Sequence, residues 1–383
     1  MQKEDFDAIL HAMLHGRSGS LSDLIFVAGK PPQVEENGKL QGLEMDGPDP
    51  LLNAEHVEAM AGVLIADNVR AKKDFEENGS CDLSYSLGEA ARFRVNIYKQ
   101  NGHRAIVMRR LQSRIPTLED LSLPPIFSEM IKEKNGIIFL TGGTGTGKTT
   151  TLAAMLNEIN RTQDVHVVTL EDPIEFLHTH ARATFSQREL GKDFPGFAIG
   201  LRAALRQAPK VILLGEIRDR ESMEIALTAS ETGHLVLSTL HTINAGQTIN
   251  RILGMFTKEE EKQIRERLSE TLRYVVSQRL VGRITGGRLL VTEIMGSSLR
   301  TRESIIFGEG ENRTFQEIIE AGDIHGWHSF DQSLMKAYDA GEINEETALL
   351  YATHKTKMRR DIEMQNKLKY DYTEESSGLQ LAG

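Results

Sequence analysis

Apolar residues along the first 105 positions recur either at helical spacing or in strict alternation with polar ones. Helical spacing lines them up on one face of a helix, whereas alternation lines them up on one face of a strand. In chain order, the pattern predicts a helix over 6–14 ended by Gly16, a strand over 22–29, a hairpin at Asn37-Gly38, a helix over 52–67, and strands over 81–87 and 92–98 around a turn at 88–90. We therefore predict a small sensor-like α/β domain with an antiparallel sheet.

After residue 124 the apolar residues form short runs without alternation, and helical patterns separate these runs. The runs cover 137–140, 165–170, 211–214 and 235–240. Uniformly apolar strands that alternate with helices are typical of a parallel sheet covered on both faces. Prolines between 115 and 125 indicate an extended linker before this part of the chain. The sequence therefore predicts a second domain built on a parallel sheet.

Helical patterns dominate the C-terminal part. A stretch rich in Glu, Arg and Lys predicts one long helix over 258–281, and apolar spacing predicts amphipathic helices over 329–340 and 345–354. From about residue 356 the chain is polar and rich in Lys and Arg, which we interpret as a frayed helix with a disordered end.

Composition narrows the class of protein. The chain has 383 residues, a formal net charge of −10 and a single cysteine, Cys81. One cysteine excludes an internal disulfide framework and a zinc site built on paired C-x-x-C motifs. No apolar run approaches the roughly 18 to 20 residues that cross a bilayer, and the N-terminus is polar, so we expect a cytoplasmic protein. The acidic balance argues against nucleic acid as the partner of the whole chain.

The strongest motif follows the apolar run 137–140 and matches G-x-x-x-x-G-K-[ST], the phosphate-binding loop that joins a strand to a helix. Its residues are Gly142, Gly143, Thr144, Gly145, Thr146, Gly147, Lys148 and Thr149, followed by Thr150. Glycines let the backbone turn its N–H groups towards a phosphate, and the helix N-terminus faces the same anion. Lys148 would reach the β- and γ-phosphates of ATP, and the Thr149 hydroxyl would bind Mg²⁺.

Hydrolysis of a nucleotide also needs a carboxylate beside the γ-phosphate that orients or deprotonates water. The buried run 211–214 is followed by Gly215 and Glu216. Ligands of open parallel sheets bind at the carboxyl ends of the strands, which is where Glu216 stands. The alternative is an ordinary exposed glutamate in a turn.

A second acidic group, Glu171, Asp172 and Glu175, follows the strand that ends at residue 170. Carboxylates close together suit a metal ion, bound directly or through water. We assign Glu171 and Asp172 to the metal and Glu175 to the catalytic group. A solvated turn around Asp172-Pro173 is the alternative.

Two histidines, His234 and His241, bracket the apolar run 235–240. Seven residues apart on a strand, they face opposite sides and cannot bind one metal together. Each is a candidate for sensing phosphate or for relaying a signal across a subunit boundary. A hydrogen-bonded structural histidine is the alternative for either one.

Taken together, these motifs resemble the secretion ATPases of type II secretion and type IV pilus systems, and most closely the retraction ATPases of the PilT and PilU kind. The resemblance covers residues 1 to about 355. It consists of the phosphate loop, an Asp box over 169–176, the segment 187–191, an atypical Walker B motif over 214–219, a His box over 233–242, and residues 277–280.

The resemblance implies a PAS-like α+β domain over 1–111, a RecA-like ATPase domain over 112–300 and a helical region with a flexible tail over 301–383. It also implies Glu216 as the catalytic glutamate, ATP with Mg²⁺, and a homohexameric ring at the cytoplasmic face of the inner membrane. The implied partners are a pilus platform protein in that membrane and a paralogous retraction ATPase, with no nucleic acid.

Arginines of the N-terminal domain complete the site of an adjoining motor domain in this family. A guanidinium offers a planar pair of donors to a transferring phosphoryl group. Arg92 and Arg94 lie two apart on a strand and so share one face, and Arg109 follows on the next strand. These three are our candidates, with a solvated arginine face as the alternative.

The chain departs from the PilT pattern in three places. Ile25 replaces a histidine, the segment 207–210 lacks the usual acidic residues, and Ile306 with Phe307 replace Arg and Glu in the C-terminal retraction motif. Ile25 and the non-acidic Gln207 resemble PilU. An alternative is therefore a weakly catalytic subunit that supports a partner ATPase. A pilus assembly or type II secretion ATPase and a DNA translocase are further alternatives, disfavoured by the single cysteine and by the acidic charge.

Overall fold

The computed structural model describes residues 1–15, 21–43, 51–66, 68–111, 114–311 and 313–377, with side chains described as far as residue 367. The described part divides into two compact units. The first unit contains residues from 1–115 and 166–207, and the second contains 116–165 and the chain from residue 208 onward.

The N-terminal segment of the first unit forms a six-stranded antiparallel sheet with three helices. Its elements are α1 (Lys3–Leu14), β1 (Leu21–Val27), β2 (Gln33–Glu36), β3 (Lys39–Gly42), α2 (Ala54–Ile65), α3 (Val69–Asn78), β4 (Ser80–Leu87), β5 (Ala91–Gln100) and β6 (His103–Leu111). The strand order is β3-β2-β1-β6-β5-β4. Strand alternation buries Phe93, Val95 and Ile97 of β5 against the helices, where Phe6 of α1 joins the same core.

Most sequence predictions for this segment are confirmed. The β2–β3 hairpin turns at Asn37 and Gly38, both with positive φ, and β4 and β5 are joined by residues 88–90. The proposed helix stop at Gly16 and the helix end at Asp67 lie outside the described residues. The first unit also contains β8 (His166–Glu171) and β9 (Thr184–Glu189), which pair in parallel, and α6 (Phe197–Ala204).

The second unit contains a sheet whose strands lie in the order β13-β12-β7-β11-β10. In chain order, the elements of this unit as far as β13 are α4 (Ile126–Met130), β7 (Gly136–Thr141), α5 (Lys148–Thr162), β10 (Val211–Leu214), α7 (Arg220–Glu231), β11 (Leu235–Leu240), α8 (Ala245–Leu253), α9 (Glu261–Thr271), β12 (Leu272–Gly282) and β13 (Arg288–Gly296). All neighbours pair in parallel except β12 and β13. Every residue of β7, β10 and β11 is buried, which confirms the prediction from their uniformly apolar sequences.

The predicted helix over 258–281 is wrong in its second half. Helix α9 ends at Thr271, and the chain continues as strand β12. β-branched and aromatic residues such as Tyr274, Val275 and Val276 favour a strand, and here they complete the sheet beside β7. The charged residues that suggested a helix are concentrated before this point.

The C-terminal part is helical, as predicted. It contains α10 (Leu299–Phe307), α11 (Phe315–Glu320), a short 3₁₀ turn (Asp323–His325), α12 (Phe330–Asp339), α13 (Glu345–Tyr351) and α14 (Lys355–Ser377). The predicted frayed segment is helical as far as Ser377, and the rest of the predicted disordered end lies outside the described residues. No helix in the described ranges is both long and apolar enough to cross a membrane.

Trp327, the only tryptophan of the chain, packs between this helical part and the end of β13. Its indole is 6% exposed and lies against Gly296 and Gly322, where an added Cβ would come within 2.4 and 2.5 Å of the ring. Beside it, Ile294 donates its backbone N–H to the His328 carbonyl at 2.8 Å. Only glycine leaves enough space for the indole at either position.

Candidate functional site

Strands β7, β10 and β11 end at one edge of the sheet in the second unit. In the parallel register, Leu240 lies opposite Thr141, and Ser238 lies opposite Leu214. The residues that directly follow these strands therefore emerge side by side. They are the phosphate loop after β7, Glu216 after β10 and His241 after β11.

The phosphate loop occupies residues 142–147, between β7 and α5. Gly142, Gly145 and Gly147 have φ values of 141°, 79° and 87°, which side chains rarely allow. A Cβ on Gly142 would come within 2.7 Å of the Gln278 carbonyl oxygen. These three glycines are therefore required by the loop's backbone. The loop opens at the N-terminus of α5, where a helix attracts anions.

Lys148 points back into this loop. Its Nζ donates to the carbonyl oxygens of Gly142 and Gly143, both at 2.8 Å, and only 8% of the residue is exposed. Burial lowers the pKa of Lys148, and the charge of Glu216 acts in the opposite direction. The ammonium is therefore fixed by neutral carbonyls inside the loop. Thr149, the next residue, is exposed.

Two side chains, those of Arg218 and His241, contact the Glu216 carboxylate. Arg218 forms an ion pair with its Oε1 atom, and His241 Nε2 lies 3.5 Å from its Oε2 atom. The Glu216 side chain is 18% exposed, so it can still reach a water molecule at this edge. Sequence reasoning missed Arg218, although its position two residues after Glu216 was visible in the motif.

His234 lies at the opposite edge of the sheet from this group. It precedes β11, where its Nδ1 is 2.9 Å from the Ala229 carbonyl oxygen and its own carbonyl accepts from Gly136 N–H. The seven residue steps from His234 to His241 span about 23 Å, given roughly 3.3 Å per residue. The structure therefore brings His241, and not His234, to Glu216.

The acidic residues at the end of β8 and just after it belong to the first unit. Glu171 is buried and accepts hydrogen bonds from Thr169 Oγ1 at 2.6 Å and from Gln187 Nε2 at 3.3 Å. The backbone N–H of Glu175 also donates to it, and Asp172 Oδ1 lies 3.6 Å from Arg70 Nη1. Within the described residues, no group of three or more His, Cys, Asp or Glu side chains is arranged to hold a metal ion.

The buried Glu171 carboxyl should make the folding stability of the protein depend on pH. Burial raises the pKa of Glu171 from 4.5 to about 7, so the folded chain binds this proton more tightly than the unfolded chain does. The stability contributed by that proton is complete below pH 4.5 and decreases as the pH rises to about 7. We expect Glu171→Gln to gain stability relative to the wild type across this interval, by on the order of 3 kcal/mol. Unfolding of both proteins by denaturant at several pH values checks this, and a difference independent of pH would contradict it.

The three candidate arginines differ in their surroundings. Arg92 is 3.7 Å from Glu189, its Nε donates to Ser86 at 3.3 Å, and burial lowers its pKa. Arg109 donates to the buried Asp23 at 2.9 Å. Arg94 lies opposite Arg109 in the β5–β6 ladder, is exposed, and forms no ion pair within the described part of the chain. Arg94 is therefore the candidate whose guanidinium is free for an incoming anion.

Comparison with known proteins agrees with this geometry. A family model described as type II/IV secretion system protein matches residues 61–360. The type IV pilus retractation ATPase PilT of Pseudomonas aeruginosa is 39% identical over 327 residues, which cover 85% of this chain and 93% of that protein. The type IV pilus ATPase PilU of the same organism is 36% identical over 369 residues, covering 96% of this chain and 94% of that protein.

A solved structure shows the same fold. The crystal structure of the pilus retraction motor PilT with bound ADP superimposes with a TM-score of 0.81 at 36% identity, covering 94% of this chain and 99% of that chain. The likeness confirms the predicted α/β class with a parallel sheet and a helical C-terminal part. The family match covers most of the chain and includes the phosphate loop, Glu216 and His241. The chain therefore belongs to the type II/IV secretion system protein family.

Proposed function

We propose that this chain is a motor that hydrolyses ATP to power type IV pilus retraction. The observation that carries the proposal is the common edge of β7, β10 and β11, where the Lys148 ammonium and the Glu216 carboxylate lie beside the glycine-rich loop 142–147. The role in pilus retraction is inferred from relatives named as PilT and PilU pilus ATPases, which are 39% and 36% identical to this chain.

The loop fits the phosphates of a nucleotide. Helix α5 begins directly after the loop, and Lys148 is bound to carbonyl oxygens instead of to a carboxylate, so its charge remains available to an anion. The exposed Thr149 hydroxyl at the start of α5 would hold Mg²⁺, which neutralises charge on the β- and γ-phosphate oxygens. Glu171 and Asp172 remain our further candidates for the metal, through water.

Glu216 would orient and deprotonate the attacking water. Its contacts with Arg218 and His241 fix the direction of the carboxylate, which is a requirement for a general base. Arg94, with Arg92 and Arg109 as weaker candidates, would act on the phosphoryl group of an adjoining subunit in a homohexameric ring. Rigid-body movement between the domains would then transmit the energy to the pilus.

The general base is tested by Glu216→Gln. We expect this variant to bind ATP normally and to lose turnover by about 10²-fold or more, the usual scale for a lost general base. Phosphate release and titration with a fluorescent ATP analogue measure the two quantities. Glu221→Gln is a matched control because it removes a carboxylate five residues further along, in the first turn of α7. Turnover near the wild-type value in Glu216→Gln would exclude this residue as the base.

An accessory role of the PilU kind is a second candidate. The PilU relative matches 96% of this chain, whereas the PilT relative matches 85%. Ile25 and the non-acidic residue Gln207 also resemble the PilU pattern. ATP turnover of the purified chain, alone and with a second retraction ATPase, separates the two: an independent motor is active alone, whereas an accessory subunit raises the partner's turnover.

We further propose the domain boundaries near residues 111 and 300, and a position at the cytoplasmic face of the inner membrane next to a pilus platform protein. Fractionation of cells and co-purification with the platform protein test these assignments. Limited proteolysis tests the boundaries, because cleavage should concentrate between compact domains.

A further inference from the structure

A buried chain of hydrogen bonds connects the strand before the phosphate loop with the segment after His241. Thr141, the last residue of β7, donates from Oγ1 to Ser277 Oγ on β12 at 3.0 Å. Ser277 lies directly opposite Glu293 of β13 and hydrogen bonds to its carboxylate. Glu293 Oε1 then accepts the backbone N–H of Ala245 at 2.9 Å. All four residues are buried, with exposures of 0 to 3%.

Both ends of this hydrogen-bond chain lie within a few residues of the proposed hydrolysis site in the sequence. Thr141 directly precedes Gly142 of the phosphate loop, and Ala245 begins α8 four residues after His241. His241 is the residue that lies 3.5 Å from Glu216. The intervening segment is short and is held by a further buried hydrogen bond, Thr242 Oγ1 to Thr248 Oγ1 at 2.6 Å. A shift at Ala245 would therefore move His241.

The carboxylate at position 293 suits this task because it accepts from two donors at once, a hydroxyl and a backbone amide. Arg279, two residues from Ser277 on the same strand face, supplies a compensating positive charge. Arg279 is itself fixed, because its guanidinium lies 3.7 Å from the centre of the Phe330 ring and donates to the Tyr351 carbonyl at 2.6 Å. Burying the Glu293 carboxylate costs free energy unless it keeps its hydrogen bonds and its nearby positive charge. Loss of either should therefore disturb this region.

We propose that Glu293 is a positioning residue for ATP hydrolysis, which acts through His241 by holding the start of α8 in a fixed relation to the end of β7. The proposal rests on the proposed function of this site. A glutamate inside the apolar strand β13 was a visible signal in the sequence, because charged residues are rarely buried without a specific partner. What it binds depends on residues far along the chain and could not be read from that strand.

Glu293→Gln is the first test. The glutamine keeps the shape and one acceptor oxygen, but its NH₂ group cannot accept the Ser277 hydroxyl proton. We expect kcat for ATP to fall about tenfold, the cost of one disturbed buried hydrogen bond, with the affinity for a fluorescent ATP analogue unchanged. Thr292→Val is the matched control: it removes a part-buried hydrogen bond of the same strand, between Thr292 Oγ1 and His328 Nε2 at 2.8 Å, and should leave kcat unchanged.

A double-mutant cycle separates positioning from a general structural effect. If Glu293 acts through His241, then Glu293→Gln in a His241→Ala background should lower kcat by less than about twofold further. Full additivity of the two losses would overturn the proposal. Ser277→Ala removes a different hydrogen bond from the same series and should reproduce the loss of kcat. This variant tests the proposal even if Glu293→Gln does not fold.

The controls also distinguish failure of the proposed function from failure of the positioning role. A wild-type chain that does not hydrolyse ATP, alone or with a partner ATPase, overturns the proposed function and the positioning role with it. An active wild-type chain whose kcat is unaffected by both Glu293→Gln and Ser277→Ala overturns the positioning role alone. Melting temperatures of all variants confirm that each comparison is made between folded proteins.

Discussion

Lys148→Ala is expected to abolish ATP turnover, with a loss of about 10³-fold or more and no measurable nucleotide binding. The phosphate loop contributes backbone N–H groups and a helix N-terminus, but Lys148 is its only full positive charge. That charge is buried and held by two carbonyl oxygens. Its removal therefore leaves the β- and γ-phosphates without a fixed counter-charge. Phosphate release and ATP titration measure the effect.

Lys132→Ala is the control for this experiment. Lys132 lies in the same unit, is 63% exposed and pairs with Glu129 at 2.7 Å, so its removal changes the net charge equally without touching the loop. An exposed pair of this kind contributes at most about 1 kcal/mol to stability. Normal turnover in a folded Lys148→Ala variant would refute the assignment of the phosphate loop as the nucleotide site.

Arg94→Ala should lower turnover of assembled rings by about 10³-fold or more, the typical contribution of an arginine supplied by a neighbouring subunit. The effect should exceed that of Arg109→Ala, because Arg109 is already neutralised by Asp23. Arg104→Ala is the control, since Arg104 pairs with Glu58 at 2.8 Å and lies over the Phe75 ring. Turnover at several protein concentrations, with ring formation followed by light scattering, checks the prediction.

Mixing variants tests whether the arginine acts between subunits. A chain with Arg94→Ala retains Glu216, and a chain with Glu216→Gln retains Arg94, so a mixed ring contains interfaces with both groups intact. We expect the mixture to recover activity that neither variant has alone. A mixture as inactive as its parents, with both variants forming hexamers, would place the arginine within its own chain or outside the reaction.

The sequence was most informative where a function is carried by contiguous residues. The phosphate loop, Glu216 and His241 each follow a uniformly apolar strand, and parallel pairing brings the ends of such strands to one edge. The same reasoning failed at β12, where charged residues in α9 suggested a helix that continues into the strand. Tyr274, Val275 and Val276 were the local evidence for a strand.

The surroundings of the candidate side chains were beyond sequence reasoning because they depend on distant residues. Arg94 and Arg109 look equivalent in the sequence, and the difference between them comes from Asp23, 86 residues away from Arg109. In the same way, the structure joins Glu293 to Ala245, 48 residues earlier. Patterns of apolar residues predict which strands form, but they do not specify which buried polar groups will meet.

The burial of Trp327 against Gly296 and Gly322 makes its fluorescence sensitive to changes at this position. Because the chain has one tryptophan, its indole fluorescence comes from a single place, where β13 meets the C-terminal helices. A buried indole emits at shorter wavelength than a hydrated one, so separation of these helices from β13 will shift the emission to the red. The unlabelled protein thus carries its own optical reporter for this junction, and the first unit contributes no tryptophan signal to obscure it.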